Sequence, residues 1–478
     1  MTSEILLTER VYYNRREDRE MGKGNDIGFK EKLGYGLGEL AGTANAIIAA
    51  FLTMFYTDSM GMAAGAVGTM FFVSKLFDGI TDLIAGNIVD KTKTKWGKAR
   101  PWLLWLSVPT GLALALIFWV PQDGSSAAKL VYAFVTYNLF MAVMYTMVGV
   151  AKSALMPLMT QDGLGRAALA KYSLIFGLGG AILGCSMTFP FIFAMGGDIR
   201  AWRIVFMIYG AVVTVGLLLS FALTRENVQS VESAVSKSGK VEKMSFIEGI
   251  KNFCKNKYFV FALAMNVVVN IAVQINSGSQ TYFYTYAMGD AMLTTSLNMV
   301  SLIPTVLGIM FLAGPCLKKF GKKKSIYIGA TGQIIGYALR GFAAVTMNIP
   351  MLAAGTVICG LATGPLSVPV NTLSADAVDY GEYLTNKRIE GIGSSVITFS
   401  QKVSGGLAAG MVGWILALTG YVANEVQSAA TNFGITFMFA WLPIILLVIT
   451  IISFKFVYRY DQEEAEVIAE LNRRKNRK

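Results

Sequence analysis

Apolar stretches alternate with short polar loops along almost the whole chain. Most of these stretches are long enough to cross the hydrocarbon core of a membrane, roughly 30 Å thick, which takes a helix of about 20 residues. About twelve spans can be counted in this way. They cover residues 41–56, 63–89, 101–120, 129–159, 168–195, 203–223, 259–287, 293–312, 326–347, 351–373, 396–418 and 433–456. The pattern predicts an all-α polytopic membrane protein.

Composition and charge support the same interpretation. Hydrophobic residues make up 54% of the 478 residues, charged residues 15%, and the mean hydropathy is +0.52, which exceeds what a soluble domain needs. The net charge of +12 is concentrated in loops such as DKTKTKWGKARP and KKFGKKK. Because cytoplasmic loops carry the excess of lysine and arginine, both termini are predicted to be cytoplasmic. No separate basic domain indicates nucleic-acid binding.

Two of the basic loops resemble each other. Each follows a membrane span and contains a glycine, several lysines and an aromatic-Gly-Lys triplet, and aligning Gly97 with Gly321 gives a repeat of about 224 residues. Two unrelated basic loops are the alternative. The repeat predicts an N-terminal extension (1–30), a first six-helix bundle (31–224), a cytoplasmic linker (225–256), a second six-helix bundle (257–457) and a cytoplasmic tail (458–478).

The sequence contains few of the residues and motifs that enzymes use for catalysis. Histidine is absent, which excludes histidine-based bases, relays and metal sites. The four cysteines stand apart without CxxC spacing, and no GxxxxGK[ST] phosphate loop is present. We therefore predict no catalytic residue, no cofactor and no direct use of ATP.

Three charged residues interrupt the second span, in the stretch SKLFDGITDLIAG. Lys75, Asp78 and Asp82 stand at i, i+3 and i+7, so a helix places them on one face. Two carboxylates one turn apart repel each other unless a cation or a proton joins them, and one lysine offsets only one of them. A bound cation or proton is the favoured explanation. A buried ion-pair cluster that only fixes helix packing is the alternative.

Several segments together resemble the glycoside-pentoside-hexuronide:cation symporter family, which has the major facilitator fold and includes the melibiose and glucuronide permeases. The resemblance is closest in character to the glucuronide permease. The segments that carry it are KLGYGLGE, FYTDSMGM, VGTMFFVSKLFDGITDLIAGNIVDKTKTKWGKARPWLL, ADAVDYGEYLTNKRIEGIGSS, FSQKVSGGLAAG and GYVANEVQSA.

The resemblance implies a cation site at Asp78 and Asp82. Thr81, and Thr146 of the fourth span, match positions where the family's Na⁺ users hold further oxygen ligands, and hard cations prefer such oxygens. Lys402 matches a family lysine that reaches the aspartates from the other half. The coupling ion is Na⁺ or H⁺, with a preference for Na⁺.

The sugar site departs from the melibiose branch. In that branch an aspartate of the first span, an aspartate of the fourth and an arginine of the fifth bind the sugar hydroxyls. The equivalent positions in this chain are occupied by Thr43, Gly149 and Leu174. Lys152 and Lys171 appear instead, with no acid beside either, which favours an anionic ligand such as a glucuronide. Snorkelling of both lysines to the membrane edge is the alternative. The substrate-binding candidates are Lys152, Lys171, Tyr145, Thr43, Asn270, Gln274 and Lys402.

A charged segment at the end of the tenth span is predicted to form an inner gate. The gating candidates are Asp376, Asp379, Glu382, Arg388 and Glu390, with Arg166, Lys91 and Lys98 as partners from the other half. Such pairs break during transport, so each is expected to be only modestly stabilising. A solvated charged loop is the alternative.

The function predicted is cation-coupled import of a glycoside by alternating access, in a bacterial inner membrane. The partners are the sugar, the coupling cation and membrane lipid. A lysolipid or drug carrier of the same fold and a non-transporting membrane sensor are the rival hypotheses, and a membrane enzyme comes last.

Overall fold

A computed structural model describes residues 27–160, 162–226, 256–385 and 390–458, together with residues 463, 467, 470 and 473. Side chains at some positions inside the helices are outside the description, including those of Asp82, Asp379 and residues 390–399. The N-terminal extension before residue 27, most of the predicted linker, Arg388 and most of the tail also lie outside the described residues.

Helices account for nearly all of the described residues, and none of these residues forms a β-strand. Helical segments that follow one another without a loop are counted together, and the long helix with a non-helical residue at Gly321 is counted as two. This gives twelve helices within the described residues. These are α1 (Phe29–Ser59), α2 (Ala64–Lys91), α3 (Arg100–Trp105 and Ser107–Ile117), α4 (Ser126–Met159), α5 (Gly163–Ala194), α6 (Ile199–Leu223), α7 (Lys257–Ala287), α8 and α9 (Leu293–Thr346, divided at Gly321), α10 (Ile349–Thr385), α11 (Glu390–Leu418) and α12 (Ala429–Phe456).

Polar caps begin several of these helices where the loops end. The side chains of Ser125, Asp162, Asp198 and Ser428 each accept a hydrogen bond from the main-chain N–H three residues further along. This bond satisfies a donor that the helix itself leaves unpaired. By length and composition, eight helices in the described chain can cross a membrane. The all-α polytopic prediction is confirmed.

Loops at one end of the bundle carry lysine-rich segments, residues 92–99 and 318–324, and we call this end the basic end. Gly97 has a φ of +106° and Gly321 a φ of +75°, a conformation that glycine adopts without strain. The Glu226 carboxylate accepts hydrogen bonds of 2.8 to 3.1 Å from the main-chain N–H groups of residues 98–100 and so fastens the end of α6 to the Gly97 loop.

The two halves, α1–α6 and α7–α12, meet along three helix pairs. Helix α2 packs along α11, α1 along α7 and α5 along α8. Between α2 and α11 the packing is close, since a Cβ atom placed on Gly68 would lie 2.8 Å from the Gly410 carbonyl oxygen. Apolar side chains such as Leu112, Ile303 and Val345 cover the outer surface, as expected of helices that face lipid.

Candidate functional site

A cavity of about 940 Å³ lies between the two halves, within the size range of small-molecule sites. Helices α1, α2, α4 and α5 line it from the first half, and α7 and α11 line it from the second. Its polar side chains include Asn45, Tyr145, Asn270, Gln274 and Gln401. Amides and phenols both donate and accept hydrogen bonds, which matches the hydroxyl groups of a sugar.

Asp78 lies at the wall of this cavity and is only 4% exposed. Its Oδ2 accepts a hydrogen bond of 3.0 Å from Lys75 Nζ, the pair that the i, i+3 spacing predicts. Its Oδ1 is buried and accepts no hydrogen bond from any described residue. A buried carboxylate oxygen without a partner is costly. Asp78 therefore has one carboxylate oxygen that no described residue satisfies.

Helix α11 of the other half reaches the same residue. Lys402 Nζ donates a hydrogen bond of 2.6 Å to the main-chain carbonyl oxygen of Asp78. Asp82 follows Asp78 by one turn on α2, and its side chain lies outside the description. The cation candidate is thus contacted by both halves of the protein, as the assignment of Lys402 expected.

The two threonines of the predicted cation set differ in placement. Thr146 lines the cavity and its hydroxyl donates to the Met141 carbonyl oxygen at 3.1 Å. The Thr81 hydroxyl donates to the main-chain carbonyl of Asp78 at 3.1 Å, and Thr81 is not part of the cavity lining. Both hydroxyl oxygens keep lone pairs that a hard cation accepts as ligands.

The substrate candidates divide into two groups. Tyr145, Asn270, Gln274, Lys152 and Lys402 line the cavity. Asn270 donates to the Asn266 carbonyl oxygen at 2.8 Å and Gln274 to the Gln401 carbonyl oxygen at 3.2 Å. These bonds leave the side-chain oxygen of each amide as an acceptor.

Two substrate candidates lie elsewhere. The Thr43 side chain is buried against Gly180 of α5 and does not line the cavity. Lys171 is exposed on α5 and also lies outside the lining. Neither residue lines the cavity in this conformation, because the α1–α5 contact buries Thr43 and Lys171 lies on an exposed face of α5, so their assignment to the sugar stays a prediction.

Lys152 has an acidic partner that its sequence neighbourhood does not reveal. Its ammonium group forms an ion pair with the Glu39 carboxylate of α1 and donates to Ser173 Oγ of α5 at 2.8 Å. The expectation that no acid stands beside Lys152 was therefore wrong. The side chain does not snorkel either, since it is 8% exposed and lines the cavity.

The inner-gate candidates show contacts within their own halves. Asp376 pairs with Lys322 Nζ at 2.5 Å and accepts a hydrogen bond from the Tyr458 hydroxyl at 3.0 Å, both in the second half. The predicted pairs across the halves belong to a state in which the basic end is closed, so they stay a prediction. Arg166 donates to the Thr160 carbonyl oxygen, and Lys98 lies 4.0 Å from Asp90, both within the first half. Glu382 is half-buried and Lys91 ends α2. The side chains of Asp379 and Glu390 lie outside the description.

Hydrogen bonds between the halves gather at the end opposite the basic end, which we call the closed end. The Asp58 carboxylate of α1 accepts hydrogen bonds of 2.5 Å from the hydroxyls of Tyr286 and Tyr421, both in the second half. Thr57 bonds to the Tyr282 hydroxyl at 2.8 Å. Burial, with Tyr282 and Asp58 nearby, raises the pKa of Tyr421, so its hydroxyl stays a donor.

The closed-end contact was not predicted, although the sequence contains a signal for it. The segments FYTDSMG at 55–61 and FYTYAMG at 283–289 are near copies, and both are π-helical at their start. The two segments occupy equivalent places in the two halves. Asp58 and Tyr286 stand at the same position in each copy.

A bundle of membrane-length helices around a polar cavity, with the buried Asp78 contacted by α2 and α11 in the described part of the chain, is typical of a membrane transporter. Residues 34–462 match the family model described as MFS/sugar transport protein. The chain belongs to this family and is an integral membrane protein.

Curated relatives cover nearly the whole chain. An isoprimeverose transporter of Lactiplantibacillus pentosus is 30% identical and matches 94% of this chain and 92% of its own. A glucuronide carrier protein homolog of Escherichia coli (strain K12) is 31% identical, with 94% and 96% covered. Among solved structures, a D-xylose-proton symporter superposes with a TM-score of 0.61 at 17% identity, covering 89% of this chain and 97% of that one. This last similarity concerns the fold.

Proposed function

We propose that this protein is a secondary active importer that moves a glycoside together with Na⁺ or H⁺. The observation that carries the proposal is Asp78, a buried carboxylate with one unpartnered oxygen at the wall of a polar cavity between two halves. A coupling ion at that oxygen relieves its desolvation cost. The relatives named as an isoprimeverose transporter and a glucuronide carrier homolog support a glycoside as substrate.

Coupling of the cation to transport follows from the balance between one lysine and two carboxylates on α2. When the site is empty, Lys75 compensates the Asp78 carboxylate, and the second carboxylate of α2, Asp82, adds a charge that is costly to enclose. A cation beside the aspartates removes this penalty, so the carrier changes conformation more readily when it is loaded. The hydrogen bond from Lys402 to the Asp78 main chain links the cation site to the second half, so that occupancy of the site affects the contact between the halves.

Alternating access uses the contacts at the closed end. The Asp58 hydrogen bonds and the close α2–α11 packing hold the halves together there. For the substrate to enter from that side these contacts separate and the basic end closes. If the basic end is cytoplasmic, as its lysines predict, and the membrane is a bacterial inner membrane, this cycle imports the sugar.

The cavity chemistry favours a sugar over a lipid or a drug. Its lining carries amides and hydroxyls from both halves, including Asn45, Asn270 and Gln274, and a lipid-binding cavity is expected to be mainly apolar. A sensor would not need a buried carboxylate with an unpartnered oxygen at a cavity between the halves. An anionic substrate loses its main support, since Lys152 is paired with Glu39 and Lys171 lies outside the cavity.

The experiment is uptake by the purified protein in liposomes. Labelled xyloside, galactoside and glucuronide are offered with an inward Na⁺ gradient, an inward proton gradient or no gradient. We expect accumulation of at least one glycoside that requires one of the two gradients. Equal uptake with and without both gradients would overturn coupling, and no uptake of any glycoside would overturn the substrate class.

A further inference from the structure

Glu39, Lys152 and Ser173 form a closed triangle of polar contacts at the cavity. Lys152 Nζ donates to Ser173 Oγ at 2.8 Å, Ser173 Oγ donates to Glu39 Oε2 at 2.6 Å, and the lysine and the glutamate are in direct ionic contact. The three residues come from α4, α5 and α1, and all three line the cavity. Neither the cation site nor the closed end includes them.

The surroundings are shaped to hold this triangle. A Cβ atom placed on Gly177 of α5 would lie 2.8 Å from Glu39 Cγ, so the glycine makes room for the glutamate side chain. The Tyr35 ring lies 4.9 Å from Lys152 Nζ, and the Tyr35 hydroxyl donates to the Lys152 carbonyl oxygen at 3.4 Å. The Glu39 side chain keeps 31% exposure while Lys152 keeps 10%. The glutamate is therefore the more exposed member of the pair, and both side chains line the cavity.

The pair does not act as a gate. Its three helices belong to the first half, so the contact has no need to break when the halves move relative to each other. A gating pair joins different halves, as the Asp58 contacts do. The Glu39–Lys152 pair thus presents the same charges to the cavity throughout the cycle.

We propose that the Glu39–Lys152 pair is a charge filter that makes this carrier select an uncharged glycoside over a uronide. A uronate carboxylate competes with Glu39 for the lysine and is repelled by the more exposed glutamate. The hydroxyls of a neutral sugar donate to Glu39 instead. Specificity arises here from rejection of the charged competitor as much as from attraction of the neutral one. The inference rests on the proposed glycoside transport and narrows its substrate class.

The test compares p-nitrophenyl xyloside with p-nitrophenyl glucuronide as competitors of labelled glycoside uptake in liposomes. The wild type is expected to prefer the xyloside. Glu39→Gln leaves the Lys152 ammonium without its acidic partner. It should therefore lower the half-inhibitory concentration of the glucuronide relative to that of the xyloside by about tenfold or more, which corresponds to roughly 1.4 kcal/mol. Lys152→Gln keeps the repelling carboxylate and should not produce this shift. The double variant Glu39→Gln/Lys152→Gln lacks both charges, so its preference for the xyloside should be weaker than that of the wild type and stronger than that of Glu39→Gln.

Two further variants keep the test decisive if Glu39→Gln does not fold. Glu39→Asp retains the charge but shortens the side chain, so it should shift the ratio in the same direction by a smaller factor. Lys171→Gln removes a charge from an exposed position of α5 outside the cavity lining and should leave the ratio unchanged. A wild type that prefers the glucuronide, or glutamate variants that lose yield with an unchanged ratio, would overturn the charge filter alone. Absence of uptake of any glycoside under any gradient would overturn the transport proposal and the filter together.

Discussion

Asp58 and Tyr286 stand at equivalent positions in the two halves and are joined by a 2.5 Å hydrogen bond from the tyrosine hydroxyl to the carboxylate. Tyr421 donates a second bond to the same carboxylate and lies 3.0 Å from the Tyr286 hydroxyl. Because one carboxylate of the first half is held by two phenols of the second, these contacts open and close together. They make the closed end a cooperative latch.

Removal of the two phenol hydroxyls should loosen this latch. A hydrogen bond to a charged group contributes about 1.5–3 kcal/mol, so Tyr286→Phe/Tyr421→Phe should favour opening by tenfold or more, where roughly 1.4 kcal/mol is a factor of ten. The measurement is the rate at which a membrane-impermeant thiol reagent, added from the closed end, labels a cysteine placed at cavity residue Ala409. Tyr132→Phe is the control, since the Tyr132 hydroxyl bonds to Leu116 within the first half. Equal labelling rates in the latch variant and the control would contradict the latch.

The α2–α11 contact should be sensitive to a single methyl group. A Cβ atom on Gly68 meets the Gly410 carbonyl oxygen at 2.8 Å, and backbone atoms cannot move aside as a flexible side chain can. Gly68→Ala is therefore expected to hinder closure at this end and to lower the initial rate of glycoside uptake at least severalfold. Gly86→Ala, on the same helix and with open space around it, is the matched control. Similar rates for both alanine variants would argue against close packing as a requirement of the cycle.

Lys402 should compete with the coupling cation. Its ammonium group lies at the Asp78 main chain, so its positive charge repels a cation that enters the site. Lys402→Gln is expected to lower the cation concentration that half-saturates glycoside uptake by severalfold. Lys171→Gln removes the same charge from an exposed position outside the cavity and should change nothing. An unchanged cation dependence in Lys402→Gln would remove this residue from the cation site.

The Glu226 contact predicts a loss of stability without a change in selectivity. The carboxylate accepts three main-chain hydrogen bonds from the Gly97 loop, and loss of such a charged acceptor costs about 1.5–3 kcal/mol. Glu226→Ala should lower the thermal unfolding temperature of the purified protein by several degrees. Glu425→Ala, in a loop at the closed end, is the control. Identical unfolding temperatures would show that the contact does not stabilise the folded state.

Local sequence pattern was sufficient for the helices and for the Lys75–Asp78 pair. Apolar stretches and basic loops predict membrane helices because lipid accepts only segments that satisfy their own main-chain hydrogen bonds. The Lys75–Asp78 contact follows from helical spacing alone, and the structure has it at 3.0 Å.

Contacts between helices that are distant in the chain could not be predicted from the local sequence pattern. Glu39 meets Lys152 because Gly177 of a third helix makes room, and nothing near either residue in the sequence indicates the partner. Lys171 is a lysine near Lys152 in the chain, yet its helix face points it away from the cavity. The pairing of Asp376 with Lys322 of its own half was likewise not indicated by either local segment. Which face of each helix meets which neighbour is decided by the packing of the whole bundle.

The central claim is that the α2 carboxylates couple a cation to sugar movement. The most direct measurement compares two modes of transport for the wild type, Asp78→Asn and Asp82→Asn in liposomes. One mode is accumulation driven by an inward cation gradient, and the other is exchange of labelled for unlabelled glycoside without a gradient. An asparagine cannot take up a proton and lacks the charge that holds a cation. We expect both variants to lose gradient-driven accumulation while exchange persists. Accumulation at the wild-type level in either variant would contradict the role of that carboxylate, and in both it would contradict the coupling site as a whole.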